Sequence, residues 1–214
     1  MIKIHSLKIF NLADALWGMR LPLISHAKSD TIKCEDDSII GENDLKLCKQ
    51  LISAGNAHRK FLRQLPVSMI ITAPMYWFLE FDTYKVSTTS NSSSKMHKLM
   101  SRHLTIDDFS AEDVQKTNLG KQWLNETINC INKYIDHYKI CSPEEKELVF
   151  RVILQMLPES FNYTRVWTGT LENLYNMIPD RSNHKLSEWR EFCSYVKENP
   201  LYKTLFEKEN PIEV

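Results

Sequence analysis

KQWLNETINCINKYIDHYKICSPEEKELVFRVILQMLP, residues 121–158, reads as two helices in succession and sets the fold class. Leu124, Ile128, Ile131, Ile135 and Tyr138 are separated by 4, 3, 4 and 3 residues, which lays one apolar stripe along a helix over residues 121–138. That stripe is core rather than a cofactor box. Ser142-Pro143-Glu144-Glu145 then supplies an N-cap serine, a proline in the first turn and a glutamate at the third position. It opens a helix carrying Leu148, Val149, Val152, Ile153 and Met156 as far as Pro158.

Outward from this pair, the same reasoning predicts helices over residues 44–54 (ended by Gly55), 57–65, 161–178 (stopped by Pro179) and 186–197, the last with Trp189, Phe192 and Val196 on one face. Residues 6–11, 67–73 and 80–86 have the β-branched and apolar content of strands. With five glycines, eight prolines and no repeat, no linker or array is evident. The sum is a helix-rich α+β chain forming a single domain over residues 1–214.

Composition excludes several classes. The 214 residues are 43% hydrophobic and 25% charged, enough for a core and unlike a disordered chain. Twenty-seven Lys and Arg balance twenty-seven Asp and Glu, so no general electrostatic pull toward nucleic acid or a membrane surface exists. Apolar runs are far shorter than a bilayer span, and Met1-Ile2-Lys3-Ile4-His5 lacks a signal peptide's apolar stretch, so a cytoplasmic location is expected. Five scattered cysteines suggest buried thiols rather than disulfides or a zinc site.

No phosphate loop, Rossmann turn, zincin or nucleophile-elbow motif occurs. The seven histidines are dispersed and no metal site is expected. The hydroxyl run Ser87-Thr88-Thr89-Ser90-Asn91-Ser92-Ser93-Ser94 is flanked by core-forming residues and is expected to be ordered. With Lys85, Lys95 and Lys98 it borders an expected loop-to-helix junction. Two readings stand there: an N-cap cluster, or an anion site in which a nucleotide phosphate docks near Ser92–Ser94. A second cluster, Asn176, Arg181, His184 and Arg190, follows the helix expected to end at Pro179. Its arginine either complements the helix dipole or binds a ligand.

Leu157-Pro158, eight residues, Trp167-Thr168, five residues, Leu174, one residue, Asn176, four residues, Arg181 is a spaced pattern that resembles, without a gap, the C-terminal motif of the flavin-dependent thymidylate synthases, the ThyX family. Residues 184–190 also look like the family's A-Q-x-E-I-R segment, one residue shorter and without the glutamine. Against the signature R-H-R-x-x-S-x-N-E-x-S-x-R, Asn91 and Ser94 match and Thr89 replaces the first serine. Tyr84-Lys85-Val86 stand in place of Arg-His-Arg, Ser92 in place of the glutamate and Met96 in place of the last arginine. Gly55-Asn56-Ala57-His58 faintly resembles G-H-x-S, and Gly18-Met19-Arg20-Leu21-Pro22 with Lys28-Ser29-Asp30 looks like a divergent, phage-type branch.

The resemblance implies a ThyX-like fold with a central, mainly antiparallel sheet, and a homotetramer. It implies methylation of dUMP at C5 with methylenetetrahydrofolate, FAD and NADPH. Arg181 would bind the uracil edge and disperse charge on the ring, the catalytic role. Ser94, Ser92, Asn91, Lys95 and Arg20 would hold the substrate, and Lys85, Thr89, Thr170 and Asn176 the flavin. Loss of Arg-His-Arg removes positive charge beside an electron-rich cofactor, and Lys85 supplies one charge without arginine's planar, bidentate contact. Two rivals follow: a nucleotide-binding scaffold without flavin chemistry that sequesters or senses a nucleotide, and a structural module in which Arg181 is solvated surface.

Overall fold

The computed structural model describes residues 2–34, 38–94 and 99–207. The strands are β1 (Lys3–Ile9), β2 (Ile32–Lys33), β3 (Ser38–Ile39), β4 (Pro66–Pro74), β5 (Thr89–Ser92) and β6 (Asn162–Thr170). The helices are α1 (Leu12–Gly18), α2 (Glu42–Ser53), α3 (Met75–Phe81), α4 (Asn118–Ile140), α5 (Pro143–Met156), α6 (Leu171–Arg181), α7 (Ser187–Lys197) and α8 (Pro200–Phe206). Four strands form one sheet in the order β1-β4-β6-β5, and β2 and β3 form an antiparallel ribbon. The fold is α+β with an antiparallel sheet, as expected.

The chain divides into two compact units. The first takes in Met1–His5, Ile70–Thr83 and Ser90–Val166; the second takes in Ser6–Met69, Tyr84–Thr89 and Trp167–Val214.

In the first unit, α4 buries Leu124, Ile128, Ile131 and Ile135, while Tyr138 packs at the margin of the same cluster. Ser142 and Glu145 form the expected capping box of α5, which buries Val149 and Ile153. Leu148, expected on the apolar face, is exposed. The strand predicted over residues 80–86 is absent: α3 runs to Phe81, because Trp77, Phe78 and Phe81 lie at helical spacing and pack ring on ring. Arg165 lies 4.0 Å over Phe78 and pairs with Asp82, closing the end of that helix.

In the second unit, α2 ends as expected before Gly55, whose φ of 97° puts it in the left-handed region. The helix expected over residues 57–65 is a short 3-10 turn, Lys60–Gln64. Pro66 disfavours helical geometry at Leu65, which limits how far the turn can run. The α2 start is locked reciprocally. Asp30 accepts from the backbone N–H groups of Asn43 and Asp44, while Asp44 accepts from those of Asp30 and Thr31. Gly41 is required, since a Cβ there would lie 2.2 Å from the Asp30 side chain.

The helix predicted over residues 161–178 is instead β6 followed by α6. Tyr163, Thr164, Val166, Trp167, Thr168 and Thr170 favour an extended chain, and strand pairing supplies backbone partners for it. Pro179 does not end α6; it sits inside the last turn, and the Ser182 N–H still bonds the Ile178 carbonyl. Cys48 and Cys193 are buried thiols, whereas Cys34 and Cys130 are exposed and Cys141 is intermediate, so the expectation of burial holds for two of the five. No described helix is long and apolar enough to cross a membrane.

Candidate functional site

In the second unit, α6 is opened by Thr170, whose N–H and hydroxyl both donate to Asn173 Oδ1 at 2.8 Å. Asn173 in turn donates to the Val86 carbonyl, which fastens residues 84–89 beside the helix. Thr170, expected at the flavin, therefore serves the helix start. Thr89 offers its carbonyl to the Thr168 hydroxyl, and Lys85 is exposed on the same segment.

Arg181 is the last residue of α6 rather than a residue beyond it. Its Nε donates to the Tyr84 phenol oxygen at 2.8 Å. The guanidinium carbon lies 4.8 Å from the Trp189 ring centre and 5.4 Å from that of Tyr84, and those two rings meet edge to face. A half-buried guanidinium packed against two aromatic rings and bonded to the hydroxyl of one of them is preorganised, with orientation fixed before any ligand arrives. The first residue of the Tyr-Lys-Val substitution thus has a definite structural task that sequence reasoning missed.

Asn176 faces a different neighbourhood. Arg59 donates from Nη2 to Asn176 Oδ1 at 3.3 Å and from Nε to Glu172 at 3.1 Å, and its guanidinium lies 4.8 Å over Tyr175. Arg63 donates from Nε to the other Glu172 oxygen at 2.7 Å and from Nη2 to the Asn56 carbonyl and side chain. Two guanidinium groups against one carboxylate leave one positive charge. Because a guanidinium only donates, the Asn176 amide oxygen must face Arg59, and the amide NH2 has no protein acceptor among the described residues. The remaining hydrogen-bonding edge of this cluster is donor-rich and cationic, which fits an electron-rich planar group. No short-range pattern joins Arg59 and Arg63 to Glu172, over a hundred positions away, so the sequence could not reveal it.

Arg20 is buried against Asp44, its Nε 2.5 Å from Oδ1. Oδ2 accepts from the Ser29 and Thr31 hydroxyls and from two backbone N–H groups. Burial alone would raise the Asp44 pKa, but the hydrogen bonds from Thr31, Arg20 and Ser29 outweigh it and hold the carboxyl below its ordinary range. Arg20 Nη2 is buried with no hydrogen-bond partner among the described residues.

In the first unit, Asn91 and Ser92 lie exposed on β5. Ser93 extends the pairing: its N–H donates to the Thr164 carbonyl and its hydroxyl accepts from the Thr164 N–H. Within the hydroxyl run, Thr89–Ser92 form strand β5. Lys95 and the junction after Ser94 lie outside the described residues. Ser93 and Ser94 line a cavity of about 300 Å³ together with Thr72, Thr164, Arg102 and Asp108. Arg102 donates two hydrogen bonds to Asp108, and Asp107 also lines the wall. One cation against two carboxylates gives the wall no positive surplus, so an anion there would rely on hydroxyl and amide donors. Thr72 links His5 at 2.9 Å to Thr164 at 2.7 Å along the same unit. Among the described residues no group of three or more His, Cys, Asp or Glu could hold a metal ion.

No family model matches the sequence, and no curated protein is detectably similar to it. Solved structures are similar in fold. One is Thymidylate Synthase X (ThyX) from Helicobacter pylori with FAD and dUMP, at a TM-score of 0.65 and 15% identity, covering 96% of each chain. Another, a flavin-dependent thymidylate synthase ThyX from Helicobacter pylori complexed with FAD and dUMP, has a TM-score of 0.62 and 16% identity, covering 96% of this chain and 97% of that one. At that identity the likeness is one of fold: this chain has a ThyX-like fold over nearly its whole length.

Proposed function

We propose that residues 1–214 act as one ThyX-like domain that methylates dUMP at C5, a divergent, phage-type thymidylate synthase working as a cytoplasmic homotetramer. The observation supporting this is Arg181: a cation on the last turn of α6, oriented by Tyr84 and Trp189, in a chain with a ThyX-like fold. Arg181 binds the uracil carbonyl edge and disperses negative charge developing on the ring. Ser92, Ser94 and Asn91 give hydroxyl and amide donors to the nucleotide phosphate, with Lys95 supplying charge; Arg20, buried against Asp44, serves the fold instead. Asn176 turns its amide donor toward the flavin, with Lys85 and Thr89 as further contacts on that side, while Thr170 keeps the start of α6 in place. The flavin, when bound and reduced by NADPH, supplies the hydride, and methylenetetrahydrofolate supplies the carbon.

A second reading has one observation in its favour. Where the family's Arg-His-Arg would begin, Tyr84 spends its phenol oxygen on Arg181, and Lys85 is the single cation of that triplet. A scaffold that keeps pyrimidine binding without flavin, and sequesters or senses a nucleotide, accounts for that equally. Titrating FAD and dUMP into the purified protein separates the two. Binding of both supports the enzyme, binding of dUMP alone supports the second reading, and binding of neither refutes both.

A further inference from the structure

We propose that Arg59 and Arg63, together with Asn176, form the cationic flavin-binding edge of this chain, replacing the charge that Tyr84-Lys85-Val86 does not provide. This rests on the flavin reading given above. Glu172 bridges the two guanidinium groups, one on each carboxylate oxygen, and thereby fixes both planes with respect to α6. Arg59 is further immobilised on the Tyr175 ring and is mostly buried, as is Glu172, with side-chain exposures of 16% and 13%. Such an array loses little rotamer freedom on meeting a ligand. It retains a net positive charge, and the Arg59 bond commits the Asn176 amide oxygen so that the NH2 end is the one left to donate. A reduced flavin carries negative charge and carbonyl acceptors along one edge of a planar ring, and a cationic, donor-only edge complements it.

A purely structural role would make the same cluster a staple between residues 59–63 and α6. Asn176→Asp separates the roles. A carboxylate at 176 still accepts from Arg59, so the staple is retained or strengthened, but the donor is lost and the net charge falls to zero. The experiment measures FAD binding to the full chain by quenching of flavin fluorescence, beside thermal unfolding of each variant. The expected result is FAD binding by the parent, at least about tenfold weaker in Asn176→Asp and in Arg59→Lys, with the Asn176→Asp unfolding temperature unchanged or raised. Arg59→Lys keeps the charge without the planar fork, so with its unfolding temperature checked it tests geometry apart from charge. Parent binding that survives unchanged in both variants overturns this proposal and leaves the flavin reading standing. Absence of FAD binding by the parent overturns the flavin reading and this proposal with it.

Discussion

Asp44→Asn is the sharpest test of how the second unit is held together. The carboxylate is fully buried, and each of its contacts is a donor to it: Arg20 Nε, the Ser29 and Thr31 hydroxyls, and the N–H groups of Asp30 and Thr31. An amide keeps the shape but turns an NH2 toward donors and leaves the Arg20 charge, 6% exposed, without its counter-ion. Breaking one side of a buried pair costs about 3–5 kcal/mol, which is therefore the expected loss at pH 7 in equilibrium urea unfolding. The pH dependence has a definite sign. The folded-state pKa of Asp44 is held below its ordinary value, so the charge contributes fully above the ordinary carboxylate pKa of about 3.9. That contribution is lost as pH falls through the lower folded-state value. The gap between parent and variant should therefore stay constant from neutral pH down to about pH 5 and close in stronger acid. A loss under about 1 kcal/mol, or a gap that is the same in strong acid, refutes the assignment.

Other outcomes follow from the same contacts. Ile131→Ala removes a fully buried side chain from the α4 stripe and should cost about 2–5 kcal/mol of unfolding free energy, a near-neutral result meaning that the stripe is misread. Ser142→Ala should cost about 0.5–2 kcal/mol, because Glu145 N–H loses its cap; an unchanged denaturation midpoint would count against the capping box. Burial pushes the Cys48 thiol up to about 12, so with a thiol reagent at mildly alkaline pH, Cys34 and Cys130 should react in the native protein and Cys48 only after unfolding. Rapid labelling of Cys48 under native conditions would contradict the described packing.

Local signals were the legible ones. The α4 stripe, the α5 capping box and the Gly55 stop depend on neighbours within a few positions, and the sequence displays all of them. The β6–α6 segment was not legible for a particular reason. Tyr163, Trp167, Leu171 and Leu174 continue at spacings of 4, 4 and 3, so an apolar helix period runs unbroken through a strand and into the next helix. The β-branched and aromatic content of residues 162–170 competes with that period, and pairing with β4 and β5 decides in favour of the extended chain. Residues 80–86 show the converse, an alternation overruled by ring packing of Trp77 and Phe81. At the candidate site, the sequence drew attention to Arg181 and Asn176, but their partners Tyr84 and Arg59 lie 97 and 117 positions away, beyond any spacing argument.

The central claim is that Arg181 is a preorganised cation for a pyrimidine nucleotide, and isothermal titration of dUMP into the parent and Arg181→Ala tests it directly. Saturable binding by the parent is expected, weakened by about 1.5–3 kcal/mol, or roughly 10- to 150-fold, in the variant, with stability little altered. Equal affinity in the two proteins, or no binding by the parent, would contradict it.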